Sequence, residues 1–446
     1  MATSSEKETK YYILVTGANS GLGFAICCRL IDEFLSTHLP SHSLTLIITT
    51  RDSRKANDTV ARLQEHLQKA TDAAAESAGT EEKPPNSRIT FQPESLDLTS
   101  LRSVLDLSNK LLATLPKLDA VILNAGYGGF TGINWPLAVW SIMTDWVRAV
   151  TWPTFKLSGI GYVTKSQLGL EGVKNISNES PKSIAAVTNG TINSDDEPPL
   201  GEVFCSNVFG HYVLSHHLTP LLSESSNSGQ KCGRIIWLSS LEAYADCFSV
   251  ADIQGLKSPK AYEASKRLTD VLALTSSLPS TSAWTDRFFT RQADKVKMYV
   301  VHPGICATGI LPLPAILWFC MAAAFYVARW LGSPWHTVRA YSGAWAPVWI
   351  ALSSQPALDE LEDATGPTKW GSSTDRLGRD RVMQTEVEGW GYGGSVGDTD
   401  GNSQGRRPGV KNLTAEERES FEELGRECWQ EMEGLREEWE LRLAAS

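Results

Sequence analysis

Short runs rich in apolar and β-branched residues recur along the chain: Tyr11–Thr16 (YYILVT), Leu44–Thr50 (LTLIITT), Ile89–Gln92, Ala120–Leu123, Arg234–Leu238 and Lys297–Val301. Runs this short, bounded by glycine or polar residues, predict buried strands. Between them the apolar spacing changes to three and four, and Phe24–Phe34, Asp58–Lys69, Leu101–Leu115, Val203–Leu222 and Tyr262–Ser276 read as helices. The alternation predicts an α/β fold, a doubly wound parallel sheet with helices on both faces, in one domain over residues 8–355. The small, polar stretch TDAAAESAGTEEKPPNS before Ile89 predicts a surface loop. Residues 133–200 form a long insertion with weak patterning. Beyond the domain, 356–413 read as an irregular Gly-rich linker, and 414–446 as one amphipathic helix with an acidic outer face. Thr414-x-x-Glu417 is its capping box, and Phe421, Leu424, Cys428, Met432, Leu435 and Trp439 form its apolar stripe. That helix is expected to dock on a partner.

Composition changes this picture little. The 446 residues are 42% hydrophobic with 35 glycines, a folded-protein composition. Lys+Arg of 41 against Asp+Glu of 51 gives a net charge of −10, which argues against a nucleic-acid partner. The eight cysteines form no C-x-x-C pair, so they read as thiols in a reducing compartment. The polar start MATSSEKETK predicts no secretory signal, and the sequons at Asn175 and Asn189 then read as chance matches.

Chemistry enters with Gly17-Ala18-Asn19-Ser20-Gly21-Leu22-Gly23, which joins the first strand to the first helix. Glycines there allow a tight turn and close backbone approach, and the helix N-terminus faces an anion such as a dinucleotide pyrophosphate in a Rossmann-type site. The second strand ends Thr49-Thr50-Arg51-Asp52, with Arg54 and Lys55 behind. An arginine at this place favours a 2′-phosphate and hence NADP(H); Asp52 speaks for NAD, unless it caps the next helix. Leu123-Asn124-Ala125-Gly126 and Ser239-Ser240 close two later strands, and Tyr262-Glu263-Ala264-Ser265-Lys266 opens a helix. Tyr262 and Lys266 stand four apart, on one helical face. A phenol is a poor acid–base group near neutrality unless a cation favours its ionised form. His211, His216, His217 and His302 show no ligand spacing with carboxylates or thiols, so no metal is expected.

The motifs TGANSGLG, LNAG, NVFGHY, YEASK and Val301-His302-Pro303-Gly304, in that order, make the chain resemble the short-chain dehydrogenase/reductase family. The resemblance implies that Tyr262 is the proton donor, that Lys266 lowers its pKa and binds the nicotinamide ribose, and that Ser240, or else Ser239, polarises the carbonyl. It implies that Asn207 holds a water linking Lys266 to solvent, that Asp97 contacts adenine and that Asn124 lies against the adenosine. Ile305 and Thr308 would reach the nicotinamide amide and pyrophosphate. Ser240 and Tyr262 are 22 positions apart, unusually far for the family. With the 133–200 insertion and the segments WLSSLEAY and SKRLTDVLALTS, this is similar to the 3-ketosteroid reductases of sterol biosynthesis, including the type 7 17β-hydroxysteroid dehydrogenases. That similarity implies NADPH-dependent reduction of a 3-oxo sterol to a 3β-alcohol during C4 demethylation. It also implies association with the other C4-demethylation enzymes and with the cytosolic face of the endoplasmic reticulum membrane or lipid droplets. Reduction of another lipophilic carbonyl (a retinoid or polyketide) and a nucleotide-bound scaffold acting through the tail helix are the alternatives.

Ile310–Ala328 carries no charge. Pro312 and Pro314 confine a helix to Ala315–Ala328, roughly 21 Å at 1.5 Å per residue, short of a hydrocarbon core of about 30 Å. One reading is a monotopic insertion with Arg329, Trp330, Trp335, His336 and Arg339 at the headgroups; the other is a buried helix lining the substrate pocket. Trp135, Trp140, Trp146 and Trp152 would widen the membrane footprint, roof a sterol channel, or simply pack.

Overall fold

A computed structural model of the chain describes residues 9–78, 88–169, 197–227, 232–292, 295–307, 314–397 and 404–445. Ten strands appear in chain order: β1 (Thr9–Val15), β2 (His42–Thr50), β3 (Ile89–Ser95), β4 (Ala120–Leu123), β5 (Phe130–Ile133), β6 (Lys156–Ser158), β7 (Gly233–Leu238), β8 (Val296–His302), β9 (Lys369–Thr374) and β10 (Asp380–Thr385). Eight of them form one sheet in the order β10-β9-β8-β7-β4-β1-β2-β3, and β5 and β6 form a separate antiparallel pair. All neighbours in the main sheet are parallel except β10, which runs antiparallel to β9. This is the Rossmann-like doubly wound arrangement. The strand order reverses between β1 and β4, so a crevice opens at their carboxyl ends.

Alternate residues of each strand enter opposite cores. Leu14, Ile47, Val121, Ile235, Trp237 and Val300 face the helices Leu101–Thr114, Gly210–Asn227 and Ala261–Thr275. Ile13, Val15, Ile48, Ile122, Ile236 and Val301 face Gly21–Thr37 and Trp345–Leu352.

Three expectations change. The second helix spans Ser53–Ala78 and so takes in the first part of the polar stretch read as a loop; 79–87 lie outside the described residues. The span 356–413 holds more than a linker: most of the helix Gln355–Thr365, then β9 and β10, which extend the main sheet. β9 lacks an apolar run because it sits too close to its neighbours for one. A Cβ on Gly371 would lie 2.3 Å from His302 Nε2, and the Ser372 hydroxyl bridges Gly343 O and Ala346 N at 2.7 and 2.8 Å. Finally, the tail helix Ala415–Ala445 has the expected capping box, with Thr414 N–H to Glu417 Oε2 at 3.0 Å and Glu417 N–H to Thr414 Oγ1 at 3.2 Å. Its apolar stripe, however, packs on its own domain. Phe421, Cys428, Trp429, Met432 and Trp439 are buried there, Trp429 Nε1 donates to Thr275 Oγ1 at 3.2 Å, and Tyr212 donates to Glu433 at 2.8 Å. The face expected to meet a partner instead buttresses the helix Ala261–Thr275.

Candidate active site

The crevice at the carboxyl ends of β1 and β4 continues into a cavity of about 920 Å³. At one end stands the glycine loop. Gly17 and Gly21 have φ of 67° and 54°, left-handed values that a side chain resists. A Cβ on Gly23 would lie 2.1 Å from Gly17 O, so only glycine lets the helix start this close to the turn. Asn124 clamps the turn from β4, its Nδ2 donating to Thr16 O at 2.9 Å. Asn19, Ser20, Leu22, Thr50, Arg51 and Asp97 line the same end. Arg51 is exposed, and Asp52 caps the following helix through Arg54 N–H at 2.8 Å. Asp97 accepts from Thr99 N–H and Oγ1 at 3.0 and 2.7 Å. Glu202, which sequence patterning did not single out, shares the field of Arg51 and Asp97. Burial raises its pKa; Arg51 opposes the rise. These residues fit a dinucleotide: a tight turn, a free helix start and a cation at the end of β2.

At the centre, Tyr262 and Lys266 are buried on one helical face, with Lys266 Nζ 5.6 Å from the phenol ring centroid. Lys266 Nζ donates to Leu238 O at 2.8 Å, and burial pushes its pKa down to about 8. Burial raises the Tyr262 pKa, as do Glu242 and Glu263; a hydrogen bond from Ser240 opposes this. The phenol therefore carries its proton at neutral pH. The two serines separate cleanly. Ser239 Oγ turns away to Lys266 O at 3.3 Å, whereas Ser240 bonds Tyr262 and accepts from Glu242 N–H at 3.1 Å.

Asn207 sits in a π-helical turn, Cys205–Phe209, a distortion common at functional sites. Both its amide hydrogens are engaged: Oδ1 accepts from Tyr127 N–H at 2.7 Å, and Nδ2 donates to Tyr127 O and Ser265 Oγ, both at 3.0 Å. It ties the segment after β4 to the Tyr262 helix, and the second lone pair of Oδ1 is left to accept from a water. Ile305 lines the cavity, yet its N–H already donates to Trp335 O at 2.7 Å; a carboxamide would have to compete for that donor. Thr308 lies outside the described residues.

The far wall is apolar. Ile133, Trp135, Ile142, Trp146 and Phe155 from the insertion face Leu317, Met321 and Phe325 of the helix Ala315–Trp330. One side of that helix lines the pocket, as one of its two readings has it, and its first turns are exposed. Trp335 and His336, expected at headgroups, are buried instead. Trp335 Nε1 is anchored on Gly405 O at 2.6 Å, and His336 packs on Phe325. Among the described residues no helix is long and apolar enough to cross a membrane.

Away from the cavity, folding brings Glu440 of the tail helix to His216 and His217, a carboxylate the spacing did not reveal. Both its oxygens are taken, by His217 Nε2 at 3.1 Å and Arg436 Nη1 at 2.6 Å.

No family model matches the chain. It is 50% identical to the 3-keto-steroid reductase erg27 of Aspergillus fumigatus, with 97% of this chain and 94% of the relative covered. It is 38% identical to the 3-keto-steroid reductase ERG27 of Gibberella zeae over 97% and 95% of the two chains. The chain belongs to the 3-keto-steroid reductase family. The Saccharomyces cerevisiae enzyme of the same name is 29% identical over 84% of this chain and 89% of its own. Among solved structures, a short-chain dehydrogenase/reductase from Mycobacterium ulcerans aligns with 14% identity and a TM-score of 0.41, covering 78% of this chain and 84% of its own. A 7α-hydroxysteroid dehydrogenase complexed with NADH and 7-oxo glycochenodeoxycholic acid aligns with 12% identity and a TM-score of 0.40, covering 80% and 92%.

Proposed function

We propose that this 3-keto-steroid reductase uses NADPH to reduce the 3-oxo group of a sterol intermediate to a 3β-hydroxyl during C4 demethylation. The observation that carries the reading is the position of Tyr262. It stands between Ser240 and Lys266, where the glycine-loop end of the cavity meets its apolar wall. Seated by the Gly17–Gly23 turn, a dinucleotide would supply the hydride from its nicotinamide. Ser240 donates a hydrogen bond to the ketone oxygen, and Tyr262 gives its phenolic proton to that oxygen as negative charge develops, the pair acting as an oxyanion site. Lys266 places a positive charge beside the phenol and so stabilises the phenolate left behind. Arg51 is the residue for a 2′-phosphate, while Asn124 and the Gly17–Gly23 turn hold the dinucleotide's seat.

The same reading places the enzyme on the cytosolic face of the endoplasmic reticulum membrane, beside the other C4-demethylation enzymes. Its support is a bare apolar face on the two elements that wall the cavity. Trp140 and Met143 are 67% and 80% exposed on the helix Trp135–Thr144, and Ile316 and Phe319 are 79% and 70% exposed on Ala315–Trp330. Exposed Arg148 and Arg339 lie on neighbouring segments. Such a face, with basic residues nearby, suits a helix lying in the headgroup region.

The test is NADPH consumption against a panel of 3-oxo sterols, with retinal and simple ketones as controls. Turnover confined to the 3-oxo sterols is expected. Equal rates on retinal or on small ketones would sink the substrate assignment.

A further inference from the structure

The cavity holds a second ammonium that no motif announces. Lys156, on β6, is buried, and its Nζ lies 5.5 Å from the Tyr262 ring centroid. It sits closer still to Phe130 of β5, at 4.5 Å, and that ring packs on Tyr262 with centroids 5.3 Å apart. Lys156 is paired with Glu242, whose backbone N–H also holds Ser240 Oγ at 3.1 Å. Lys156 comes from the 133–200 insertion and Glu242 from the long segment between Ser240 and Tyr262. The two departures from ordinary family spacing thus meet in one ion pair, above the proton donor and the carbonyl-polarising serine.

We propose that Lys156 and Glu242 are positioning residues of this reductase, an ion pair that seats Ser240 and tunes the proton affinity of Tyr262 from the insertion side. The proposal rests on the catalytic roles given above. Four charged or titratable side chains surround the phenol: Lys266 and Glu263 from its own helix, Lys156 from β6 and Glu242 from the segment after β7. Lys369 and Asp270 act behind Lys266. A cation beside the ring favours the phenolate and a carboxylate opposes it. Removing either member of the pair therefore moves the phenol in opposite directions. Glu263, raised to about 7 chiefly by burial and then by Glu242, titrates in the same cluster and moves with Glu242.

The pH dependence of kcat for alcohol oxidation with NADP+ reads this directly, because Tyr262 must then be ionised to accept the proton. Lys156→Met is expected to raise the midpoint of the rise by about one pH unit. Glu242→Gln should lower it, the double variant should return toward wild type, and Lys156→Arg should stay near it. Midpoints that do not move, or that move in the same direction in both single variants, would leave the pair a purely structural contact and overturn the proposal. Quenching of tryptophan fluorescence by NADPH checks that each variant is folded; should Lys156→Met fail this check, the midpoints of Glu242→Gln and the double variant decide. The profile is taken on whichever alcohol the wild type oxidises, so a wild type inactive on sterols would defeat the substrate reading and leave this test intact.

Discussion

The Lys369 ammonium donates to the Ser240 carbonyl oxygen at 2.6 Å while pairing with Asp270, also at 2.6 Å. Both charged side chains are buried, and Asp270 lies one helical turn beyond Lys266. β9 thus pins the end of β7 to the helix that carries Tyr262 and Lys266. Removing one partner of a buried pair costs about 3–5 kcal/mol, whereas replacing both with apolar groups of similar volume costs far less. Lys369→Met is expected to lower the unfolding temperature and the activity together. Adding Asp270→Leu should restore most of the stability without restoring kcat, since nothing then holds the Ser240 carbonyl. Thermal unfolding and kcat measured on the same samples check this; recovery of both would show that the bond to Ser240 is incidental.

The opposed directions of the two serines lead to a paired comparison. Ser240→Ala removes the proposed donor to the developing oxyanion and is expected to lower kcat by about 10²–10³. Tyr262→Phe removes the proposed proton donor and should cost about 10²–10⁴. Ser239 Oγ faces Lys266 O, so Ser239→Ala should change kcat only slightly. NADPH affinity, followed by fluorescence, should survive in all three. A larger loss for Ser239→Ala than for Ser240→Ala would reverse the assignment.

Arg51 is an exposed guanidinium at the edge of the dinucleotide seat, with Glu202 sharing its field. Charge-assisted hydrogen bonds contribute about 1.5–3 kcal/mol, and solvent exposure places this one at the low end. Arg51→Ala should therefore weaken NADPH binding by roughly tenfold and leave NADH binding nearly unchanged. Glu202→Gln, by removing a nearby negative charge, should tighten NADPH. Dissociation constants for both nucleotides on each variant test it. Equal losses for NADH and NADPH would mean that Arg51 does not read the 2′-phosphate.

What the sequence revealed and what it hid divide along physical lines. The strands β1, β2, β4, β7 and β8 are legible because burial on both faces requires continuous apolar runs. β9 is not, because Gly371 and Ser372 serve close approach rather than apolar burial, and β10 is not, because it is a half-buried edge strand. Tyr262, Lys266 and the glycine loop are fixed by short local spacings. Lys156, Glu242 and Lys369 reach the site through pairings distant in sequence, with no local signature. The tail helix shows the limit of periodicity: its stripe predicts a buried face, and only the fold reveals that the chain itself covers it.

His211 offers a test by pH. It is fully buried, its Nε2 is 2.9 Å from Thr16 Oγ1 and its Nδ1 3.3 Å from Asn207 O, and burial pushes its pKa down to about 3. In the unfolded chain it titrates near 6.5. Between those values the unfolded state binds more protons, so stability rises with pH across the window and is lost as pH falls from about 6.5 toward 3. His302, also lowered by burial, adds in the same direction. His211→Gln, which keeps a donor and an acceptor without a titrating ring, should flatten the fall in unfolding temperature between pH 6.5 and pH 4. An acid slope identical to wild type would mean that other groups account for it.

The bare apolar face can be separated from the chemistry because Trp140, Met143, Ile316 and Phe319 do not line the cavity, whereas Ile142, Leu317 and Met321 do. Deleting the whole segment would open the pocket; point changes on the outer side would not. Burying such side chains contributes about 1.5–3 kcal/mol each, so replacing all four by serine should lower partition onto phospholipid vesicles by about 10⁴-fold. Reduction of a 3-oxo sterol presented in detergent micelles should be unaffected, while reduction of the same sterol carried in vesicles should fall with the partition coefficient. Vesicle co-sedimentation and the two assays on one preparation separate these effects. Undiminished sedimentation would mean that the face does not meet lipid.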